Sequence, residues 1–242
     1  MANQMVFKRY EIKYLMTHSQ RDAVLEAMEP YMSMDAYGHS SIRNIYYDTP
    51  DFRLIRESLE KPVYKEKLRV RSYGVPAPDG KVFAELKKKY KGVVYKRRIT
   101  VPAAEVQPLL AGQRSLADYG QIGREIAWFQ QLYDARPRVF IGYDRIAFAG
   151  VADPELRITF DTNIRWRTTQ LELSAGDHGA PLLPDDRVLL EVKLPGVCPL
   201  WLAHALAEAG AVPVSFSKYG SCYCHHLLRE QPVPLKEVFP CA

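Results

Sequence analysis

The chain has 242 residues, 47% of them hydrophobic, and a formal net charge of +5 at pH 7. That is enough apolar material for a full core, so one domain over residues 1–242 is expected, and with no run of about 20 apolar residues a membrane-spanning helix is not. The opening MANQMVFKRYEIKYLM lacks the apolar stretch of a signal peptide, and Cys198, Cys222, Cys224 and Cys241 show no disulfide-framework spacing, so a cytoplasmic, reducing setting is expected.

Residues 7–15 alternate well enough for a first strand, with Glu11 and Lys13 on one face. Residues 17–34 then read as a helix, with Val24, Leu25, Met28 and Met32 at helical spacing. A strand over 41–47 ends at Asp48-Thr49-Pro50, which turns into a short helix over 52–59. Residues 64–101 form a block of three strands. Helices are predicted over 103–110 and 122–133, and strands over 138–148 and 156–161, with 164–173 as a hairpin partner of the latter. After a polar loop over 174–186 come a strand over 187–194, an apolar helix over 200–209 and a last helix from about 217 to 230, for which Ser217 is the N-cap. Cys222-Tyr223-Cys224-His225-His226 has no second half at zinc-ligand spacing and falls in this last helix, so it is read as helix residues.

The three-strand block, YKEKLRVRSYG, KVFAELKKKY and VVYKRRITV, carries the main signal. Residues two apart share a face of a strand, which groups Lys67, Arg69 and Arg71, then Glu85, Lys87 and Lys89, then Lys96 and Arg98. Solvated faces usually mix signs because like charges opposite each other weaken strand pairing. A polyanion is the partner that such a face fits, with an ordinary basic surface as the plain alternative. A tripeptide recurs far apart, as Glu11-Ile12-Lys13, Glu85-Leu86-Lys87 and Glu191-Val192-Lys193. Each sets a carboxylate and an ammonium on one side of a strand, as a complex of Mg²⁺ or Mn²⁺ with polyphosphate requires. No Gly-rich phosphate loop is present, so phosphates would be held by side chains. Eight or nine strands joined mostly as antiparallel neighbours suit a closed barrel of about eight strands. Such a pore admits an extended anion and is too narrow for duplex nucleic acid.

The segments RYEIKYLM, SIRNIYYDT, KLRVRSYG, FAELKKK, YKRRI, YDRIAF, LRITFDT, LLEVKLPG and SFSKYG, in that order, resemble the triphosphate tunnel metalloenzyme superfamily. Within it they resemble the domain of the vacuolar transporter chaperone complex that polymerises polyphosphate. The resemblance implies an α+β fold, an eight-stranded antiparallel closed β-barrel with basic walls and helices packed outside. It also implies ATP or another triphosphate inside, a Mn²⁺ or Mg²⁺ ion, and polyphosphate as product.

Carried over by position, the catalytic and phosphate-binding set is Lys13, Arg69, Arg71, Lys87, Lys96, Arg145, Arg157 and Lys218, with Lys193 as a further substrate-binding residue. Glu191 takes the place of the metal-binding carboxylate. Glu11 and Glu85 either support the metal or pair with nearby lysines. Where the family often has a second lysine before Phe-Ser-Lys, this chain has Ser215. The implied activity is phosphoryl transfer from ATP to a growing polyphosphate chain. Its alternatives are an inorganic or nucleoside triphosphatase, a binding module without turnover, and RNA binding through Tyr64, Tyr73, Tyr90 and Tyr95, the last disfavoured because such tyrosines usually pack within sheets. The oligomeric state does not follow from these residues.

Overall fold

The N-terminal segment divides its pairing between two strands that are distant in sequence, and this sets the shape of the sheet. In the computed structural model, which describes residues 6–7, 10–91 and 93–228, β1 (Val6–Phe7) pairs with β6 (Val93–Pro102). Three residues further on, β2 (Tyr10–Thr17) begins a ladder with β10 (Arg187–Leu194). Between these edges run β5 (Lys81–Tyr90), β4 (Tyr64–Tyr73), β3 (Met32–Asp48), β7 (Arg136–Gly150) and β8 (Arg157–Arg167), in the order β1-β6-β5-β4-β3-β7-β8-β10-β2. The short β9 (Ala180–Pro181) hangs on β8. Every pairing is antiparallel.

This corrects the expectation of an eight-stranded closed barrel. Among the described residues, ten strands form one sheet that hydrogen bonds do not close. The curl is nevertheless tight. Lys13 of the edge strand β2 lines the same cavity as Lys67 of β4 and Lys87 of β5, strands from the other side of the sheet order.

Other departures have local causes. The first helix, α1 (His18–Met28), starts from a capping box in which Gln20 N donates to Thr17 Oγ1 (3.3 Å) and Thr17 N to Gln20 Oε1 (2.9 Å). It ends six residues before the predicted stop, because Met32 and Met34 fit a strand against Phe148 and Gly150 as well as they fit a helix face. That extends β3 back to Met32, through an irregularity in its register between Met34 and His39. The predicted pair 156–161 and 164–173 is instead one continuous strand, β8, carried past Asn163 (φ 48°) by a shift in its register with β7.

Helices cover the outer face. The helices α3 (Ala103–Leu110) and α4 (Gly120–Tyr133) bury Val106, Leu109, Ile126 and Phe129 against Leu68, Val70, Val82, Ala84 and Leu86. Full burial of each such side chain contributes about 1.5–3 kcal/mol. On the opposite side, α1 and α5 (Leu200–Glu208) close over Met16, Ile158, Phe160, Val188 and Leu190.

The remaining helices depart from the expectation that all pack outside. The helix α2 (Arg53–Leu59) and α6 (Lys218–Cys222), which runs on as a π turn over Tyr223–Leu227, pack against Tyr46, Ile141, Tyr143 and Leu189. These residues alternate in phase with Asn44, Arg145 and Glu191, so they belong to the inner face. Apolar side chains therefore fill part of one end of the lumen, the end at which Ser58 of α2 and Gly220 of α6 also line the cavity of Lys13, Lys67 and Lys87. The last predicted helix was to reach residue 230, and its final two residues lie outside those described. No helix among the described residues is long and apolar enough to cross a membrane.

Candidate functional site

The same alternation that buries Leu68 and Val70 outward turns Lys67, Arg69 and Arg71 inward, and the neighbouring strands repeat the pattern. Arg69 stands opposite Glu85 in the ladder, and its Nε donates to Glu85 Oε2 at 2.7 Å. Arg71 Nε donates to Asn44 Oδ1 (2.9 Å) and lies 3.8 Å from Glu85 Oε2. Burial alone would raise the Glu85 pKa, but Arg69 and Arg71 override it and bring it down to about 2.

Across the lumen, Glu191 is the centre of a second cluster. The β2–β10 register sets it opposite Lys13, whose Nζ lies 3.2 Å from Glu191 Oε1 and 3.3 Å from Glu11 Oε1. Lys218 Nζ approaches Glu191 Oε1 at 3.1 Å and Asp161 Oδ2 at 2.5 Å. Arg145 grips Asp161 with two bonds, Nε to Oδ1 (2.5 Å) and Nη2 to Oδ2 (2.7 Å), and reaches Glu191 Oε2 at 3.2 Å. Such charge-assisted, bidentate contacts are the strong class of hydrogen bond. Burial would raise the Glu191 pKa, and Lys218, Lys13 and Arg145 instead hold it well below the usual carboxylate range. The same carboxylates keep Lys13 and Lys218 protonated against the opposing effect of burial.

What holds Lys218 there is a buried aspartate at one end of the lumen. Asp48 Oδ1 accepts from Thr49 N and Leu54 N, and Oδ2 from Ile55 N and from Tyr219 OH (2.8 Å). Tyr219 stacks on Tyr46 with centroids 4.8 Å apart. With Ser217 capping α6 through Gly220 N, the ammonium is aimed into the lumen and sits 4.4 Å from the Tyr143 ring centre.

The remaining lysines are less well compensated. Burial, with Lys65, Lys87 and Lys13 adding repulsion, pulls Lys67 down to about 7. Burial also lowers Lys87 and Lys193 to about 8 each, with Lys96 repelling the first and Arg145 the second. Lys96 is shifted down by burial as well, partly offset by Glu11. Lys13, Lys67 and Lys87 share a cavity of about 460 Å³ with Lys61, Lys65 and Lys89, beside Ser215 and Ser217. A cluster of ammonium groups that depresses its own protonation is short of anions, and phosphate oxygens are the counterion of matching chemistry.

The donor set also bears on a divalent cation. Glu11 and Glu191 meet on one ammonium, and burial and Glu191 oppose the lowering of the Glu11 pKa by Lys13. Among the described residues there is no group of three or more His, Cys, Asp or Glu side chains placed to hold a metal alone. Two carboxylates fit part of the shell of Mg²⁺ or Mn²⁺, ions that characteristically take the rest from phosphate oxygens and water.

Residues 8–226 match the family model described as the VTC domain. The chain belongs to the VTC domain family. A curated relative is vacuolar transporter chaperone complex subunit 4 of Schizosaccharomyces pombe, 26% identical over 196 residues, covering 64% of this chain and 27% of the relative. The VTC chain thus spans about a quarter of that relative's length. Similar solved structures include a putative adenylate cyclase of Vibrio parahaemolyticus (TM-score 0.48, 15% identity, 90% of this chain and 98% of that one). Another is a putative adenylyl cyclase of Hippeastrum described as having a dominant triphosphatase activity (TM-score 0.48, 16% identity, 94% and 99%).

Of the residues singled out from the VTC sequence, Lys13, Arg69, Arg71, Lys87, Arg145, Lys193, Lys218, Glu11 and Glu191 are brought together as described, and Lys96 acts on Lys87 and Lys193. Arg157 lies nearer an end, where its Nη2 donates to Asp35 Oδ2 at 2.6 Å. Sequence reasoning gave no role in the site to Asp161, Asp48 or Tyr143. Asp161 and Tyr143 lay in plain view two residues from inward positions, but their partners come from distant segments.

Proposed function

We propose that the lumen binds a nucleoside triphosphate as a complex with Mg²⁺ or Mn²⁺ and transfers its γ-phosphoryl group to the end of a polyphosphate chain. The observation that carries this reading is the convergence of Lys13, Arg145 and Lys218 on Glu191, facing Arg69, Arg71 and Lys87 across the lumen. In the reaction, a terminal oxygen of the acceptor chain forms a bond to the γ-phosphorus while the bond to the β-bridging oxygen breaks. ADP leaves, and the chain is longer by one phosphate.

Charge spreads over the three equatorial oxygens as this happens, so fixed donors supply the main stabilisation. Arg69, Arg71, Arg145 and Arg157 offer forked donors that bridge oxygens, and Lys13, Lys87, Lys96, Lys193 and Lys218 act as point charges. Glu191, with Glu11 beside it, would hold the divalent ion, which supplies further charge neutralisation at the phosphates. No residue need bond covalently to phosphorus. Arriving phosphates offer Lys13 and Lys218 new partners, which frees oxygens of Glu191.

The test supplies ATP with Mn²⁺ or Mg²⁺ and resolves the products by chain length. Polyphosphate together with ADP supports the proposal. Free phosphate and ADP without chains would move the assignment to a triphosphatase, and tight binding with neither product to a binding module.

A further inference from the structure

The two ends of the lumen differ in chemistry, and the difference specifies how a substrate lies in it. One end is the lysine-lined cavity with Lys61, Lys65 and Lys89. Tyr73 lies eight residues along β4 from Lys65, on the same face, about 26 Å away at the rise of a strand. Here the inward phase changes from charge to rings. Tyr73 follows Arg69 and Arg71, and Phe83 precedes Glu85 and Lys87, while Phe83 stands opposite Arg71 in the ladder.

Tyr37 of β3 joins them. Its ring is nearly parallel to that of Tyr73 (17°, centroids 6.3 Å apart), and Tyr73 meets Phe83 edge-on at 6.0 Å. The Arg98 guanidinium lies 4.8 Å from the Phe83 centroid. Tyr37 is 74% and Tyr73 48% exposed, although each presents a large apolar ring. The segment that carries Tyr37 is braced: Asp35 Oδ1 accepts from Tyr37 N and Gly38 N in a turn at which Gly38 has φ +46°, and Asp35 Oδ2 accepts from Arg157. Exposed rings on a braced turn, at the entrance to a cationic lumen, form a platform with a free face.

We propose that Tyr37, Tyr73 and Phe83 form a stacking site for the base of an incoming nucleoside triphosphate. The nucleotide then lies with its base at this mouth and its phosphates running inward past Arg71 and Arg69, about 7 and 13 Å beyond Tyr73 along the strand. The lysine-lined end is left to a phosphate chain without bases. Aromatic stacking accepts any base, because every base has a π-face, so the site distinguishes nucleotides from inorganic polyphosphate without choosing among bases. This inference rests on the reading of the lumen as a triphosphate site, and its test separates the two.

The experiment measures, by calorimetry with Mg²⁺ present, the affinities of the whole chain for ATP and for inorganic tripolyphosphate. The wild-type chain is compared with Tyr37→Ala, Tyr73→Ala and the double variant. The ratio of ATP to tripolyphosphate affinity is expected to fall about fivefold or more in the double variant, the lower end of what a lost base–aromatic stack costs. Tyr37→Phe and Tyr73→Phe are expected to keep the ratio. In parallel, the fluorescence of 2-aminopurine ribonucleoside triphosphate is expected to be quenched by the wild-type chain and to recover in the double variant. An unchanged ratio, equal losses for both ligands, or no quenching would overturn the stacking site while leaving the triphosphate lumen in place. Binding of neither ligand by the wild-type chain would overturn both.

Discussion

The two faces of β4, β5 and β6 are interleaved residue by residue and yet obey different physics. Outward, Leu68, Val70, Val82, Ala84 and Leu86 are almost wholly buried against α3 and α4, and their contribution is non-directional and proportional to area. Inward, Lys67, Arg69, Lys87 and Glu85 are held in a low-dielectric space where each charge perturbs the next. Stability thus resides on the outside of this sheet and binding capacity on the inside. The inner face is a cost that the outer face carries until a polyanion arrives.

The strongest way to break the outer half is Phe129→Ala, which empties a site buried beneath α4. It is expected to lower stability by about 3–5 kcal/mol in denaturant titration, with the turnover of the molecules that remain folded unchanged. A fall in turnover per folded molecule would show that the faces are not separable. Glu191→Gln addresses the inner half. Turnover in Mn²⁺ or Mg²⁺ is expected to fall about 100-fold or more, the scale of a lost electrostatic stabiliser. Because Glu191 also neutralises Lys13, Arg145 and Lys218, some stability is expected to go with it, recoverable by added tripolyphosphate. Unchanged turnover with excess metal would remove Glu191 from its role.

Arg69→Lys keeps the charge and loses the fork to Glu85 and Tyr46. About tenfold weaker tripolyphosphate binding is expected, on the scale of one charged hydrogen bond. Smaller still is a pH effect. Lys67, near 7, and Lys87 and Lys193, near 8, lose protons over a range where an ordinary lysine does not. Affinity for tripolyphosphate is therefore expected to fall from pH 7 to pH 9. The sign reverses for the ligand-free chain: its unfolded state keeps those protons to higher pH, so stability contributed by these groups rises over the same window. At the bottom of the scale, Tyr47→Phe on the outer side loses only the bond to Gln107 (3.1 Å). It is expected to cost about 1 kcal/mol and to leave binding as it was.

The alternation in residues 64–101 was legible because a period of two fixes which side chains share a face. It named Arg69, Arg71, Glu85 and Lys87 without any knowledge of neighbours. What it does not encode is which strands meet across a lumen, so the grip of Lys218 on an aspartate 57 positions earlier had no local signal. The same limit explains the placing of α6. Its Tyr219, Cys222 and Tyr223 read as an ordinary helix face, and only the Asp48 anchor shows that the face points into the lumen rather than onto the shell. The start of β3 was misjudged for a different reason: Met32 and Met34 satisfy both periodicities, and long-range pairing with β7 decided between them.

One short peptide serves as both borders of the sheet, and its alignment governs what the interior displays. A slip of β2 by a single position along β10 would swing Glu11 and Lys13 to the exterior and present Ile12 and Tyr14 in their stead. The seam therefore works like a zip: engaged one tooth out of place, it would leave the walls standing while disarming the channel.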